Sequence, residues 1–333
     1  MYDARIVAGL RKAGYDVVVH ELAGRFPNPD ALARLAASQA SAAAGRDDVL
    51  VIDGLALSAF ETGPTSRPGR NLVLCHMPVV EEVGIAAPVR ESLAAAETER
   101  LRRADRIVAT SAVVARSLAA RGIPAERIGV VEPGTDPAPG HATRTPTGDV
   151  VRILAVGAVT RVKGHATMVR ALARLADLPW RLRIIGSTRA EPETVRALRS
   201  DVARAGLGRR VRLDGERPHE RVLAAYRTAD LFVQPSRFES YGMALAEALA
   251  HGLPLVATRV GGVPATPAGA AALLVPPGDE AALADALRGV IGDAARRREL
   301  AEAARRHASE LPTWDEAVRR FARELETARG ARP

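Results

Sequence analysis

Residues 231–260 read LFVQPSRFESYGMALAEALAHGLPLVATRV, in which one apolar run precedes residues 237–253 and another follows them. Short continuous apolar runs are typical of strands that are buried on both faces of a parallel sheet. The stretch between them predicts a helix that begins near Met243. This unit of strand, loop, helix and strand carries two carboxylates, Glu239 and Glu247, with seven residues between them. Two carboxylates between buried strands need a structural or a chemical explanation.

The same alternation of apolar runs and helical periods continues on both sides of this unit. From residue 150 onwards it predicts a doubly wound α/β domain over 150–311. The first 140 residues predict a second α/β domain, 1–140. Its strands are expected at 15–22, 48–54, 71–78, 105–111 and 128–134. A segment rich in Pro, Gly and Thr (136–149) is the predicted linker, and a helix over 313–330 is expected to cross back to the first domain.

The composition limits the kinds of partner that this chain of 333 residues binds. Its net charge is +8, but the basic residues are dispersed, and the only lysines are Lys12 and Lys163. Only 3% of the residues are aromatic, so stacking platforms for bases are scarce and no nucleic-acid partner is expected. The charge is consistent with a solvated surface or with peripheral association with an anionic membrane.

Two features concern the cellular compartment. No apolar run approaches the roughly 18 residues that a membrane-spanning helix needs. The single cysteine, Cys75, cannot form an intramolecular disulfide, and its apolar surroundings in the sequence predict a buried strand. These features predict a cytoplasmic protein, or one that attaches peripherally to the inner face of the membrane.

Ligands of open α/β sheets bind beyond the carboxyl ends of the strands, so the residues that follow each strand are candidates for a site. After the strand at 151–158, the sequence VTRVKG (159–164) leads into a helix, whose N-terminus favours anions. Arg161 can bind a phosphate through two hydrogen bonds, and Lys163 adds a compact charge. These residues are consistent with a diphosphate clamp or with two solvated cations. The turn at Gly186 either receives a ligand against its backbone or is a plain tight turn.

The carboxylates of residues 231–260 allow several interpretations. Glu239 precedes the helix and Glu247 lies within it, so each can accept hydrogen bonds from the hydroxyl groups of a ribose or another sugar. Free N–H groups around Tyr241–Met243 would face oxygen atoms of a ligand. One alternative is an exposed surface pair. Another is an acid and a base as in glycosidases, although those enzymes need both carboxylates beside the scissile bond.

These residues resemble a known family. The segment PSRFESYGMALAEALAHGLPLVATRVGGVP (235–264) is similar to the donor-site segment of family 4 retaining glycosyltransferases, which have the GT-B fold. The family's pattern of two glutamates with seven residues between them is matched here at Glu239, Gly242, Glu247, Ala248, Gly252 and Pro254. The sequence VTRVKGHATMVRALARL (159–175) resembles the family's phosphate-binding Lys-Gly segment. The resemblance covers nearly the whole chain and is strongest over 150–280.

The resemblance implies two Rossmann-like doubly wound domains that face each other across a cleft. The second domain would bind a nucleotide-diphosphate sugar, and the first an acceptor. The implied reaction moves the sugar to a glycan, a lipid or a small molecule with retention of the anomeric configuration, as in bacterial hexosyltransferases. The family needs no metal, and the sequence has neither an Asp-x-Asp cluster nor the Cys/His spacing of metal ligands. No cofactor is therefore expected.

The same resemblance implies a role for each residue of the donor site. Lys163 and Arg161 would hold the diphosphate, and Glu247 would hold the ribose. Glu239 would bind the sugar together with the backbone of Ser240–Met243. The residues implied to bind the nucleotide sugar are Gly157, Arg161, Lys163, Gly186, Ser240, Tyr241, Gly242, Met243 and Glu247, and those implied to be catalytic are His76, Arg161, Lys163 and Glu239.

Two of these residues, His76 and Arg161, are assigned from their positions relative to the family's pattern. His76 follows the strand at 71–75, where the family usually has a histidine near the sugar, and Glu82 is close to it in sequence. The family commonly has an arginine directly after the glycine that ends the first strand of the second domain. Ala158 occupies that position here, so Arg161 is expected to replace it.

The sequence departs most from the family at its start. The family begins with a strand and a Gly-Gly loop, whereas Tyr2 already belongs to a predicted helix. The first strand of the N-terminal domain is therefore expected to be missing, and the natural protein is expected to begin upstream of Met1.

Other functions remain as alternatives. The chain is interpreted alternatively as a non-catalytic or truncated nucleotide-sugar-binding GT-B protein, or as a nucleotide-sugar epimerase. A phosphorylase would need a lysine for pyridoxal phosphate, and neither Lys12 nor Lys163 suits that role. A dinucleotide-dependent oxidoreductase fits poorly, since no Gly-x-Gly-x-x-Gly motif follows a strand.

Overall fold

The structure is a computed structural model that describes residues 1–45, 47–60, 70–81, 86–138 and 150–330. The chain forms two compact units: Met1–Gly134 together with Pro312–Pro333, and Thr135–Leu311. Most of the predicted linker, 139–149, lies outside the described residues. Among the described helices, none is both long and apolar enough to cross a membrane.

The first unit is built on a parallel sheet. Its strands are β1 (Leu50–Asp53), β2 (Asn71–Cys75), β3 (Arg106–Ala109) and β4 (Ile128–Val130). They lie side by side in chain order. The helices are α1 (Tyr2–Lys12), α2 (Ala31–Ala43), α3 (Ala87–Leu101) and α4 (Ala112–Ala120). Every residue of β2 is buried, as expected for a parallel strand with both faces covered.

Two apolar clusters pack against the faces of this sheet. Successive side chains of a strand point to opposite faces, and β2 divides accordingly. Leu72 packs in one cluster with Tyr2 and Ile6 of α1. Val73 packs in the other cluster with Ala37 of α2. The carboxyl ends of β1 and β2 thereby come together with the start of α1.

The prediction of a strand over residues 15–22 is wrong. The structure has no strand there, and Val18 and Val19 are 71% and 51% exposed. A strand forms only where a neighbour supplies the other half of its hydrogen-bond ladder. None of the described strands pairs with this segment, so its β-branched residues alone do not make it a strand.

The described residues of the second unit form a six-stranded parallel sheet and seven α-helices. The strands are β5 (Val151–Val156), β6 (Trp180–Ile185), β7 (Val211–Leu213), β8 (Leu231–Gln234), β9 (Leu255–Thr258) and β10 (Leu273–Val275). The helices are α5 (His165–Ala173), α6 (Pro192–Arg204), α7 (His219–Thr228), α8 (Met243–Ala250), α9 (Pro267–Ala271), α10 (Glu280–Ile291) and α11 (Ala294–Ala308). The strand order is β10-β9-β8-β5-β6-β7.

This order changes direction between β5 and β8, which are neighbours although three helices separate them in the chain. The chain runs outward from β5 on one side and from β8 on the other. A crevice opens at such a switch point, and ligands of doubly wound sheets bind there. The segment 231–260 forms β8, α8 and β9, and α8 begins at Met243 as its sequence pattern predicts.

The last helix, α12 (Trp314–Gly330), belongs to the first unit and packs against α1. The two helices approach closely, since a Cβ atom at Gly9 would lie 2.2 Å from Val318 Cγ2. Phe321 is 2% exposed and lies in the same apolar cluster as Leu10. The C-terminal segment is therefore part of the core of the first unit.

Candidate functional site

An ion pair joins the loops that follow β5 and β8. Lys163 Nζ donates to Glu239 Oε1 at 2.6 Å, and Ser236 Oγ donates to the same oxygen at 2.7 Å. The side chain of Glu239 is 9% exposed, whereas that of Lys163 is 29% exposed. The carboxylate is therefore shielded while the ammonium group still reaches solvent. These three side chains are called the Lys163–Glu239 cluster below.

Glycines allow the loops around this cluster to approach each other. Gly164 has a φ of 66°, and a Cβ atom there would lie 2.0 Å from the carbonyl oxygen of Pro235. A Cβ atom at Gly186, which follows β6, would lie 2.0 Å from the carbonyl oxygen of Gly157. A Cβ atom at Gly157 would itself lie 3.4 Å from Cδ of Lys163. Larger residues at Gly164 or Gly186 would force the loops apart.

The two helices that follow the loops of this cluster, α5 and α8, have no side-chain caps. Their N-cap residues are Gly164 for α5 and Gly242, with a φ of 94°, for α8. The helices α6 and α7 of the same unit also have no side-chain cap, whereas the side chains of Ser111 and Asp279 cap α4 and α10. The N–H groups of an uncapped first turn, with the positive end of the helix dipole, are suited to bind an anion.

The loop that enters α8 is held in place by its neighbours. Tyr241 is 4% exposed, and Ser240 and Met243 are partly buried. A Cβ atom at Gly261 would lie 1.9 Å from the carbonyl oxygen of Glu239, so only glycine permits this contact. The backbone from Glu239 to Met243 is thus positioned before any ligand binds.

Three buried polar atoms around this edge have no hydrogen-bond partner among the described residues. They are Thr160 Oγ1, His165 Nδ1 and Gln234 Oε1. Buried polar groups are almost always satisfied by protein or water, so these atoms are consistent with a polar ligand or with bound water. Burial, and to a lesser extent Lys163, lowers the pKa of His165 to about 4. This imidazole is therefore neutral at pH 7.

Glu247 lies in the second turn of α8 and is partly buried. Burial raises the pKa of Tyr226 well above its ordinary value, and the charge of Glu247 and a hydrogen bond to it raise that pKa further. The ring of Tyr226 also stacks on His251, with centroids 5.2 Å apart. The Glu247 carboxylate is therefore held against a packed aromatic pair.

Arg161 does not join the Lys163–Glu239 cluster in this structure. Its backbone N–H donates to Glu191 Oε2 at 3.0 Å, and its Nε lies 3.9 Å from the same oxygen. The side chain of Arg161 is 56% exposed. The predicted phosphate-binding arginine is thus a surface residue beside Glu191, on the same loop as Lys163.

In the first unit, His76 follows β2 and lies between two carboxylates. Its Nε2 atom is 2.9 Å from Asp3 Oδ1 and 3.7 Å from Asp53 Oδ2. Burial acts to raise the pKa of Asp3, but the hydrogen bond and charge of His76 outweigh burial and hold that pKa below its ordinary value. The ligand atoms of the three side chains lie within 4.8 Å of one another, close enough to hold a metal ion. Glu82 lies outside the described residues.

Sequence reasoning did not single out Ser236, Asp3 or Asp53. Ser236 and Asp53 stand at or just after the carboxyl end of a predicted strand, and that position was an available signal. Asp3 gave no such signal, because it lies on a helix and is 73 residues away from His76 in the chain.

Comparisons with known sequences identify relatives of this chain. Residues 150–293 match the family model described as Glycosyl transferases group 1. D-inositol 3-phosphate glycosyltransferase 1 from Catenulispora acidiphila is 36% identical over 260 residues, which are 72% of this chain and 60% of that protein. The D-inositol 3-phosphate glycosyltransferase of Corynebacterium urealyticum is 35% identical over 59% of this chain and 50% of that protein. The chain spans about half to three fifths of these curated relatives.

Solved structures share the fold. Sucrose-phosphate synthase from Thermosynechococcus elongatus matches with a TM-score of 0.79 and 23% identity, over 97% of this chain and 91% of that chain. HepE from Anabaena, in complex with UDP and glucose, matches with a TM-score of 0.71 and 20% identity, over 96% of this chain and 88% of that chain. The predicted α/β fold of the GT-B type is thereby confirmed. Both loops of the Lys163–Glu239 cluster lie within residues 150–293, the segment that matches the Glycosyl transferases group 1 family.

Proposed function

We propose that this protein transfers a sugar from a nucleotide-diphosphate sugar to a hydroxyl group of an acceptor, with retention of configuration and without a bound metal. The observation that carries the proposal is the Lys163–Glu239 cluster at the uncapped starts of α5 and α8. A cation beside two free helix N-termini suits a diphosphate, and a shielded carboxylate in the same cluster suits a sugar hydroxyl.

The main task of the protein in such a reaction is to stabilise the leaving group. The bond between the anomeric carbon and the diphosphate oxygen breaks, and negative charge grows on the diphosphate. Lys163 and the N–H groups in the first turns of α5 and α8 lie where they can neutralise that charge. Because these groups are already in place, little reorganisation is needed during the reaction.

Glu239 would have different hydrogen-bond partners before and after the donor binds. In the free protein it neutralises Lys163. Once the diphosphate attracts Lys163, Glu239 keeps its hydrogen bond from Ser236 and can accept another from a sugar hydroxyl. Glu247 lies on α8 beside Tyr226 of α7, and it is assigned to the ribose hydroxyls. Arg161 would have to leave Glu191 in order to reach the diphosphate.

The relatives support this donor class. Their names describe glycosyltransferases that act on D-inositol 3-phosphate, and HepE has been solved in complex with UDP and glucose. Among a glycan, a lipid and a small metabolite as acceptor, these names favour a small hydroxylated metabolite. We also propose a cytoplasmic location, and the net charge of +8 would favour peripheral attachment to an anionic membrane.

A panel of nucleotides tests the proposal. UDP, GDP and ADP and their hexose conjugates are compared by thermal shift, and each conjugate is then incubated with the protein and candidate polyols. We expect one nucleoside diphosphate to raise the melting temperature and its sugar to be transferred. A thermal shift without transfer or sugar release would indicate a nucleotide-sugar-binding protein. A change of the free sugar donor at one stereocentre would indicate an epimerase.

A further inference from the structure

His76 and its two carboxylates form a compact group within the first unit. The three residues come from different elements: Asp3 from the first turn of α1, Asp53 from the end of β1, and His76 from the residue after β2. Both carboxylates approach the same ring nitrogen, Nε2, at 2.9 Å and 3.7 Å. The other ring nitrogen, Nδ1, is not involved in these contacts.

This arrangement determines where the proton lies on a neutral imidazole. An ionised carboxylate only accepts hydrogen bonds, so a short contact with Asp3 requires a proton on Nε2. Nδ1 of the neutral ring then carries a lone pair and accepts a hydrogen bond. Carboxylates that bind one nitrogen of a histidine fix the tautomer and the orientation of the ring in the same way in other sites.

The ring of His76 is also held by its surroundings. The ring of Tyr2 packs edge-on against it with centroids 5.3 Å apart, and the Tyr2 hydroxyl donates to the carbonyl oxygen of Val131 at 2.9 Å. The backbone carbonyl of His76 accepts a hydrogen bond from Thr110 Oγ1 at 3.3 Å. The side chain nevertheless remains 36% exposed, so a ligand can reach it.

We propose that Asp3 and Asp53 are positioning residues that hold His76 in the Nε2–H tautomer, so that Nδ1 accepts a hydrogen bond from a hydroxyl group of a reacting sugar or polyol. This inference rests on the proposed function for the identity of the hydroxyl. The proton stays on the hydroxyl in this contact, and the carboxylates act only through His76.

A metal ion is the opposing explanation of the same geometry. A cation bound by Asp3, Asp53 and His76 would occupy the lone pair of Nε2, and that nitrogen would then carry no proton. The two explanations therefore predict opposite protonation states of Nε2 of His76. The protonation state of this atom can be observed without any assay of activity.

The test reads the tautomer by NMR in the full chain. Protein labelled with ¹⁵N-histidine is examined by long-range ¹H–¹⁵N correlation at a pH where histidine is neutral, and His76→Gln identifies the signals of His76. We expect a protonated Nε2 and an unprotonated Nδ1 in the wild type. We expect a mixture of tautomers in the double variant Asp3→Asn/Asp53→Asn. Asp16→Asn, an exposed aspartate of the same unit, is the matched control and should resemble the wild type.

An Nδ1–H tautomer in the wild type would overturn the proposal. So would a His76 signal that shifts or broadens on addition of Zn²⁺ or Mn²⁺ at stoichiometric amounts, since that outcome favours a metal site. If the double variant does not fold, the wild-type spectrum and the single variant Asp53→Asn still decide between the explanations. Melting temperatures of the variants verify that each spectrum comes from folded protein.

An activity measurement links the tautomer to the reaction. In the transfer assay, we expect the double variant to lower kcat by about 10- to 100-fold with the KM for the donor nearly unchanged, as for loss of a residue that orients another. An unchanged kcat with an altered tautomer would refute the functional half of the inference. If no sugar transfer is found with any donor, the proposed function fails while the tautomer measurement remains valid, so the two failures are distinguishable.

Discussion

The side chain of Lys163 has two successive partners in the proposed reaction. It is paired with Glu239 in the free protein and would turn to the diphosphate in the complex. The sequence pattern identified both residues as candidates but assigned them to different parts of the ligand. Their direct contact was not predictable, because 76 residues separate them and the contact depends on how closely Gly164 approaches Pro235.

The proposed role of Lys163 leads to a direct prediction for Lys163→Ala. We expect turnover to fall by about 10²-fold or more, since one preorganised group that stabilises the leaving charge is lost. Steady-state kinetics with the donor identified by the nucleotide panel measure the change. Lys12→Ala is the natural control, because Lys12 is the chain's other lysine and is exposed on α1. Near-native turnover of Lys163→Ala would exclude the diphosphate clamp.

The buried His165 makes the stability of the second unit depend on pH. Its pKa falls from 6.5 to about 4 on folding, so the unfolded chain binds this proton more readily than the folded protein. The contribution of the neutral His165 to the free energy of unfolding is complete above pH 6.5. It decreases as the pH falls below 6.5 and is lost below pH 4. A shift of this size corresponds to about 3 kcal/mol of unfolding free energy.

Urea unfolding at several pH values tests this dependence. In a Trp314→Phe background, Trp180 in the core of the second unit is the only tryptophan and reports on that unit. We expect His165→Gln to flatten the dependence of unfolding free energy on pH between 6.5 and 4. His219→Gln removes an exposed histidine of the same unit and should leave the slope unchanged. Equal slopes in His165→Gln and the wild type would contradict the assignment.

At the scale of elements, prediction succeeded where the period of apolar residues was clear. The unit β8, α8 and β9 agrees with the pattern in residues 231–260 because its strands are short apolar runs buried on both faces, and its apolar helix begins after a polar loop. The segment 15–22 was misassigned because a strand depends on a neighbour as well as on its own residues. The alanine-rich helix α2 (Ala31–Ala43) was not predicted, since alanine contributes little to an apolar period.

Gly164 joins two elements, and its replacement should damage both. It caps α5 with a φ of 66°, and a Cβ atom there would lie 2.0 Å from the carbonyl oxygen of Pro235. We expect Gly164→Ala to push the loop after β5 away from the loop after β8 and to abolish the thermal shift by nucleotide. The left-handed backbone alone costs about 1–2 kcal/mol with a non-glycine residue, and the steric contact adds to that.

Gly206→Ala is a closely matched control for this change. Gly206 lies in the same unit with the same φ of 66°, but nothing lies within 4 Å of an added Cβ atom. Both variants therefore share the cost of the backbone conformation, and only Gly164→Ala adds the clash. Nucleotide-induced thermal shifts and unfolding free energies are measured for both. Equal losses in the two variants would mean that the approach of the loops is unimportant.

At the scale of the whole molecule, the two units differed in how far their sequence could be interpreted. The second unit carries regular strand and helix periods together with the glutamate pattern, so its fold and much of its candidate site were predictable. The first unit has fewer such signals, and the group around His76 gathers residues from three separate elements. Contacts between residues so far apart in sequence cannot be inferred from local patterns, because they depend on the packing of the finished sheet.

The proposed binding of the nucleotide by the second unit predicts which residues it protects from hydrogen exchange in the intact protein. Hydrogen exchange followed by mass spectrometry is measured with and without the nucleoside diphosphate that gives the largest thermal shift. We expect protection at residues 157–165 and 235–247, where the helices α5 and α8 begin, because their free N–H groups would bind the diphosphate. At a ligand concentration of 100 times Kd, binding should stabilise the protein by about 2.7 kcal/mol.

The corresponding nucleoside monophosphate should protect these residues less, since it lacks the phosphate nearest Lys163. The Lys163→Ala variant should show weaker protection with the diphosphate. Protection confined to the first unit would place the nucleotide elsewhere and would refute the assignment of the donor to the edge formed by β5 and β8.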